Sequence, residues 1–128
     1  MGYYTRWTLI LIILLTGCSS LQERGEEYLA TGSYDAAIST FSEILSKKPK
    51  NREARAGLKR AHKGWIAKNL IQVRRLRLAE NYEESLDLLS TVYQNQSQWQ
   101  VFPKGNVAFT QEEETQWARQ SIRHLVKR

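Results

Sequence analysis

The sequence predicts an all-α fold with about five helices. Apolar residues recur at three- and four-residue spacing along most of the chain, and capping and breaking residues separate those stretches. No segment alternates apolar and polar residues as a half-buried strand would. Residues 21–30 suit a first helix, with Leu21, Gly25, Tyr28 and Leu29 at helical spacing and Gly32 as its breaker. Ser33 is placed to cap a second helix to about residue 47, whose apolar face is Ala37, Ile38, Phe41, Ile44 and Leu45. Pro49 ends it, and Asn51 caps an extended third helix over about 52–79. Asn81 and Glu84 have capping-box spacing for a fourth helix to about residue 94. Residues 95–109 are polar and turn-rich, with Pro103 and Gly105, and predict a loop tucked onto the core by Trp99, Phe102 and Phe109. Thr110 and Glu113 form a second capping box. It opens a C-terminal capping helix over 110–128, with Trp117, as a bulky plug, Ala118, Ser121, Ile122 and Leu125 on one side.

Segment 1–17 reads as a targeting signal. Arg6 supplies a positive start, residues 7–16 form an uncharged run built on Leu9 to Leu15, and small residues precede Cys18. A membrane-spanning helix needs roughly 20 apolar residues, about twice this run, so a cleaved signal fits better than a permanent anchor. Leu15-Thr16-Gly17-Cys18 resembles the lipobox of bacterial lipoproteins. The resemblance implies that Cys18 becomes the first residue of the mature chain and carries lipid. The alternative is an uncleaved anchor in which Cys18 is an ordinary thiol. A single cysteine excludes an internal disulfide framework, and lipidation accounts for it in a chain bound for an oxidising compartment. Ser19 follows where an aspartate would favour inner-membrane retention, so the resemblance implies the periplasmic face of the outer membrane, with an inner-membrane lipoprotein as the alternative. Removal of segment 1–17 leaves one small domain with a modest core. It lowers the charge from +6 to +5, because Arg6 leaves with the signal.

Residues 18–94 carry a second resemblance. With Cys18 as position 1, Gly25 takes the small position of a first helix, Tyr28 follows as the large aromatic, and Gly32 and Tyr34 make the turn. Ala37 is the small residue of the second helix, Phe41 its large partner, and Pro49 closes the unit. This pattern resembles a tetratricopeptide repeat, a 34-residue helix-turn-helix unit; the alternative is a generic helical hairpin. A weaker copy lies downstream, where Tyr82, Ser85, Leu89 and Val92 match Tyr34, Ala37, Phe41 and Ile44 at a constant offset. That offset exceeds the family's unit length by about four helical turns, which lengthens the third helix and keeps its face. The copy departs from the family in having Glu80 for the turn glycine, Val73 at a small position and no closing proline. The resemblance implies a groove for a protein partner, lined by Gln22, Glu26 and Leu29 from the first repeat and by Leu70, Arg74 and Arg77 from the second.

Charge is concentrated. Residues 47–79 hold twelve Lys or Arg against one acid, Glu53, a balance of +11. On a helical wheel Ala54, Leu58, Ala61, Trp65, Val73 and Leu76 share one face. Arg52, Lys59, Arg60, Lys63, Arg74 and Arg77 fall in an arc of about 100° nearly opposite. Two readings stand side by side: a solvated face, or a one-signed stripe for an anionic partner such as an acidic protein, lipid head groups or cell-wall polymer. Nucleic acid fits the charge but conflicts with export.

Nothing in the chain reads as catalytic. His62 and His124 lack metal-ligand spacing; His62 falls near the core face and His124 among exposed basic residues. Glu112, Glu113 and Glu114 suit the first turn of a helix, where they favour its dipole. There is no glycine-rich phosphate loop, and Trp65, Trp99 and Trp117 suit core or loop anchors better than a sugar platform. The expectation is therefore a non-enzymatic, cofactor-free envelope adaptor or assembly factor. The alternative is a structural envelope protein whose basic helix touches cell-wall polymer or anionic membrane.

Overall fold

Two turns with the same hydrogen-bond pattern, one at Gly32 and one at Glu80, punctuate the chain. In the first, Gly32 has φ 71°, its N–H donates to Leu29 O, and Ser33 N–H donates to Tyr28 O. In the second, Glu80 has φ 64°, its N–H donates to Arg77 O, and Asn81 N–H donates to Leu76 O. Glu80 thus adopts the left-handed conformation that glycine adopts freely, at a cost of about 1 kcal/mol.

The structure is a computed structural model and describes residues 21–127. The targeting segment and Cys18 lie outside the described residues. The described chain is all-helical: α1 covers residues 21–30, followed by α2 (Tyr34–Lys47), α3 (Arg52–Leu78), α4 (Tyr82–Trp99) and α5 (Gly105–Val126). Two compact units divide at Ala61 and His62, inside α3.

The first unit holds α1, α2 and the start of α3. Its core is Ala37, Phe41, Ile44, Ala54 and Ala61, with Leu21, Tyr28, Leu29, Ile38, Leu45 and Leu58 packed against it. Phe41 is fully buried between two glycines. A Cβ added at Gly25 would lie 2.7 Å from its ring, and one at Gly57 would lie 2.5 Å from it. Bare backbone on both neighbouring helices is what admits a phenyl ring at this depth. Asn51 caps α3 as expected, accepting from Ala54 N–H at 3.0 Å. Ser33 does not cap α2 through its side chain; its hydroxyl is engaged with that of Thr31 at 3.1 Å.

The second unit holds the rest of α3 with α4 and α5. Ile66, Leu70, Val73, Leu89, Val92 and Val101 are buried in it. Ser85, Leu89 and Val92 are buried as their counterparts Ala37, Phe41 and Ile44 are, so the sequence offset holds for the inward positions. Ser85 Oγ donates to Val73 O at 2.9 Å. Where the first unit pairs a glycine with a phenylalanine, the second has Val73 and Leu89 at the matching positions, a redistribution of volume that cores tolerate. Gln96 and Gln111, both buried, exchange two amide hydrogen bonds of 3.0 and 2.9 Å between α4 and α5.

Several expected boundaries are corrected here. The loop expected over 95–109 shrinks to 100–104, because α4 runs on to Trp99 and α5 starts at Gly105. The polar run 95–98 is helical, with Ser97 and Gln98 exposed, Asn95 half-buried and Gln96 buried against its partner on α5. Gln100, with φ 54°, ends α4. Thr110 lies inside α5, its hydroxyl donating to Asn106 O, so Thr110 and Glu113 do not open that helix. Asn81 makes no side-chain cap bond. Phe102 and Phe109 are mostly exposed and do not tuck a loop onto the core. Trp117 is half-exposed rather than a buried plug.

Candidate functional site

The first candidate surface lies on α1 and the start of α3. Arg60 donates twice to the Glu26 carboxylate, at 2.6 and 3.1 Å, across a separation of 34 residues, the length of one tetratricopeptide unit. Such a bidentate pair fixes the orientation of both side chains, although its exposure limits its worth to below about 1 kcal/mol. Gln22 Nε2 donates to Glu26 Oε1 at 3.3 Å, while Gln22 Oε1 is a buried acceptor that receives no hydrogen bond. Leu29 is half-buried against the core. The structure therefore brings Gln22 and Glu26 together with Arg60, which the sequence had placed only in the basic stripe.

The second-repeat half of the expected groove is corrected. Leu70 is fully buried in the core and lines no open surface. Arg74 and Arg77 turn toward α5, not toward solvent opposite the core. Arg74 Nε donates to Glu114 Oε1 at 2.9 Å, and its Nη2 to Glu113 Oε2 at 2.5 Å. Arg77 holds Glu114 with two bonds of 2.6 and 3.0 Å. The Arg77 guanidinium also lies 4.8 Å from the centre of the Trp117 ring, a cation–π contact. Starting α5 at Gly105 moves Glu113 and Glu114 from a first turn, where the helix dipole would account for them, into mid-helix. Glu114 is almost fully buried there. Burial pushes its carboxyl upward, but the hydrogen bonds and charges of Arg77 and Arg74 outweigh this and hold it below the usual carboxylate range. Hydrogen bonding to Glu114 raises both arginines in return.

These pairings redraw the basic stripe. Arg60, Arg74 and Arg77 are matched by carboxylates, while Arg52, Lys59 and Lys63 are exposed. Lys63 and Lys104 flank a mostly apolar cavity of about 240 Å³ formed with Ile66, Val101, Phe102, Pro103 and Val107.

His62 is buried as expected, stacked on Trp99 with ring centres 4.0 Å apart and planes 8° from parallel. Trp65 meets Trp99 edge-on at 5.2 Å. Trp99 thus anchors the end of α4. Burial lowers the His62 pKa below its ordinary 6.5. The neutral ring therefore stabilises the fold fully above about pH 6.5, and that contribution is lost as pH falls through the depressed folded value. Thermal unfolding followed from neutral pH toward about pH 5 is expected to show a falling midpoint. In His62→Phe the drop over this window should vanish; an unchanged profile would refute the assignment. Glu114 titrates below this window and does not confuse it.

His124 is exposed. Among the described residues no three His, Cys, Asp or Glu side chains come together to hold a metal ion, and no helix is long and apolar enough to cross a membrane. Comparison of the chain with protein-family models, curated proteins and solved structures gave no match.

Proposed function

We propose that this chain is a lipid-anchored helical adaptor or assembly factor of the cell envelope, resembling tetratricopeptide-repeat proteins. Cys18 carries it to the periplasmic face of the outer membrane, and a protein partner binds across α1 and the start of α3. It performs no catalysis and holds no cofactor. The observation that supports this reading best is the wedging of Phe41 between Gly25 and Gly57. That contact draws α1, α2 and α3 together as the helices of one repeat and the first helix of the next. It leaves Glu26 and Arg60 side by side as accessible polar groups able to orient a bound segment. The basic-stripe alternative loses support because three of its six members are matched by carboxylates within the fold.

The test exchanges the polarity of the face without removing its ion pair. The full chain, tagged at its C-terminus and purified from detergent-solubilised membranes, should retain one protein at stoichiometric level. Glu26→Arg combined with Arg60→Glu should keep the helical content and lose that protein by at least tenfold. Undiminished copurification by the exchanged chain would remove the face from consideration.

A further inference from the structure

We propose that the turn joining α2 to α3 is a membrane-facing basic tip that lies against anionic phospholipid head groups. The proposal rests on the lipid-anchor reading of Cys18 and adds to it a second contact and an orientation.

The first unit is antiparallel, and its contacts define its ends. Only three residues join α1 to α2 and four join α2 to α3, and both outer helices pack on Phe41 through Gly25 and Gly57, so α1 and α3 each run opposite to α2. Leu21, four residues before Gly25, and Leu45, four after Phe41, lie against the same core. The start of the described chain and the turn over residues 48–51 are therefore at one end of the unit. Cys18 precedes Leu21 by three residues, so their Cα atoms are separated by at most about 11 Å. A lipid on Cys18 would hold this end, and not the opposite one, at the bilayer.

That end is where positive charge collects. Residues 47–55 contain Lys47, Lys48, Lys50, Arg52 and Arg55 against Glu53 alone, a balance of +4. All five cations are exposed. Lys47 is 3.4 Å from Glu43, and Arg55 donates to Pro49 O at 2.9 Å, holding the turn in shape and keeping its own charge. On the facing first turn of α1, Glu23 and Arg24 cancel. Arg52 and Arg55 occupy the first turn of a 27-residue helix, where the backbone dipole already presents positive charge and acidic residues are favoured. Such placement weakens the isolated unit and strengthens the positive field of the tip. Juxtamembrane basic clusters draw anionic lipid in this way, each Lys or Arg raising binding about fivefold. A single acyl chain holds a protein only marginally, and a basic patch is the usual second attachment.

The test is lysine acetylation, read by mass spectrometry, on the full chain reconstituted into vesicles of phosphatidylcholine alone or with about one third phosphatidylglycerol. Lys48 and Lys50 should react several-fold more slowly on the anionic vesicles, while Lys59, about 12 Å farther along α3, changes less. About 0.5 M salt, which shortens the screening length to about 4 Å, should restore their reactivity. In Lys48→Glu/Lys50→Glu, Lys47 should react at the same rate on both vesicles. Equal reactivity of Lys48 and Lys50 on the two vesicle types overturns the proposal, as does protection that appears only when purified cell wall is added. The mass of the N-terminal peptide reports the anchor separately. A chain without acyl groups refutes the lipid reading, while salt-sensitive protection of Lys48 and Lys50 still decides the tip.

Discussion

Replacing Phe41 with alanine is expected to destabilise the protein by about 4 kcal/mol, within the range for emptying a fully buried aromatic site. Little collapse of the site is expected, because Gly25 and Gly57 have no side chains to relax into the space. A companion substitution changes sign with context. Gly57→Ala gains about 1 kcal/mol of helix propensity, but its Cβ meets the Phe41 ring at 2.5 Å, and overpacking a tight core costs about 1–3 kcal/mol. It should therefore destabilise the wild-type chain and stabilise Phe41→Ala, where the methyl group fills vacated space. Urea unfolding of the four chains of this double-mutant cycle gives the coupling directly. Additive effects would mean that Phe41 and Gly57 do not share one contact.

Glu114→Ala is expected to cost about 3 kcal/mol. Its carboxylate has only 1% of its surface exposed and receives three hydrogen bonds from Arg74 and Arg77. Removing one member of a buried ion cluster leaves the remaining charge uncompensated, at about 3–5 kcal/mol. The lower end applies because the two arginines keep 37% and 18% of their side-chain surface in water. Glu113→Ala removes a half-exposed partner of Arg74 and should cost less than about 1 kcal/mol. The measurement is the denaturation midpoint of both variants, followed by far-ultraviolet circular dichroism. Equal losses from the two substitutions would contradict a buried clamp centred on Glu114.

Much of the helical framework was legible because it is written in local chemistry. Gly32, Pro49 and Asn51 mark boundaries through backbone conformation and capping, which act over a few residues. The inward positions Ala37, Phe41 and Ile44 follow from periodicity, as do their copies Ser85, Leu89 and Val92. What escaped was set by distant partners. Gln96 looked like part of a polar loop because its buried partner, Gln111, is 15 residues away on another helix. Arg74 and Arg77 looked like a free stripe because a helical wheel places charges around one helix and knows nothing of Glu114, 40 and 37 residues on. The capping-box spacing of Thr110 and Glu113 concealed that assignment, since it gave the three glutamates a sufficient local explanation. Gly57 carried a usable signal: a glycine inside a long helix asks for a close neighbour.

The amide pair of Gln96 and Gln111 selects among arrangements more than it strengthens one. Two facing leucines of similar size would serve adhesion between α4 and α5 as well or better. Sliding α5 by one turn, about 5.4 Å, would leave both amides in apolar surroundings, at about 1–3 kcal/mol for each unsatisfied group. The same slip would carry Glu114 away from both arginines. Misregistered docking is thus penalised twice, by neutral amides and by an ion cluster, so the pair widens the gap between the native register and its nearest competitor.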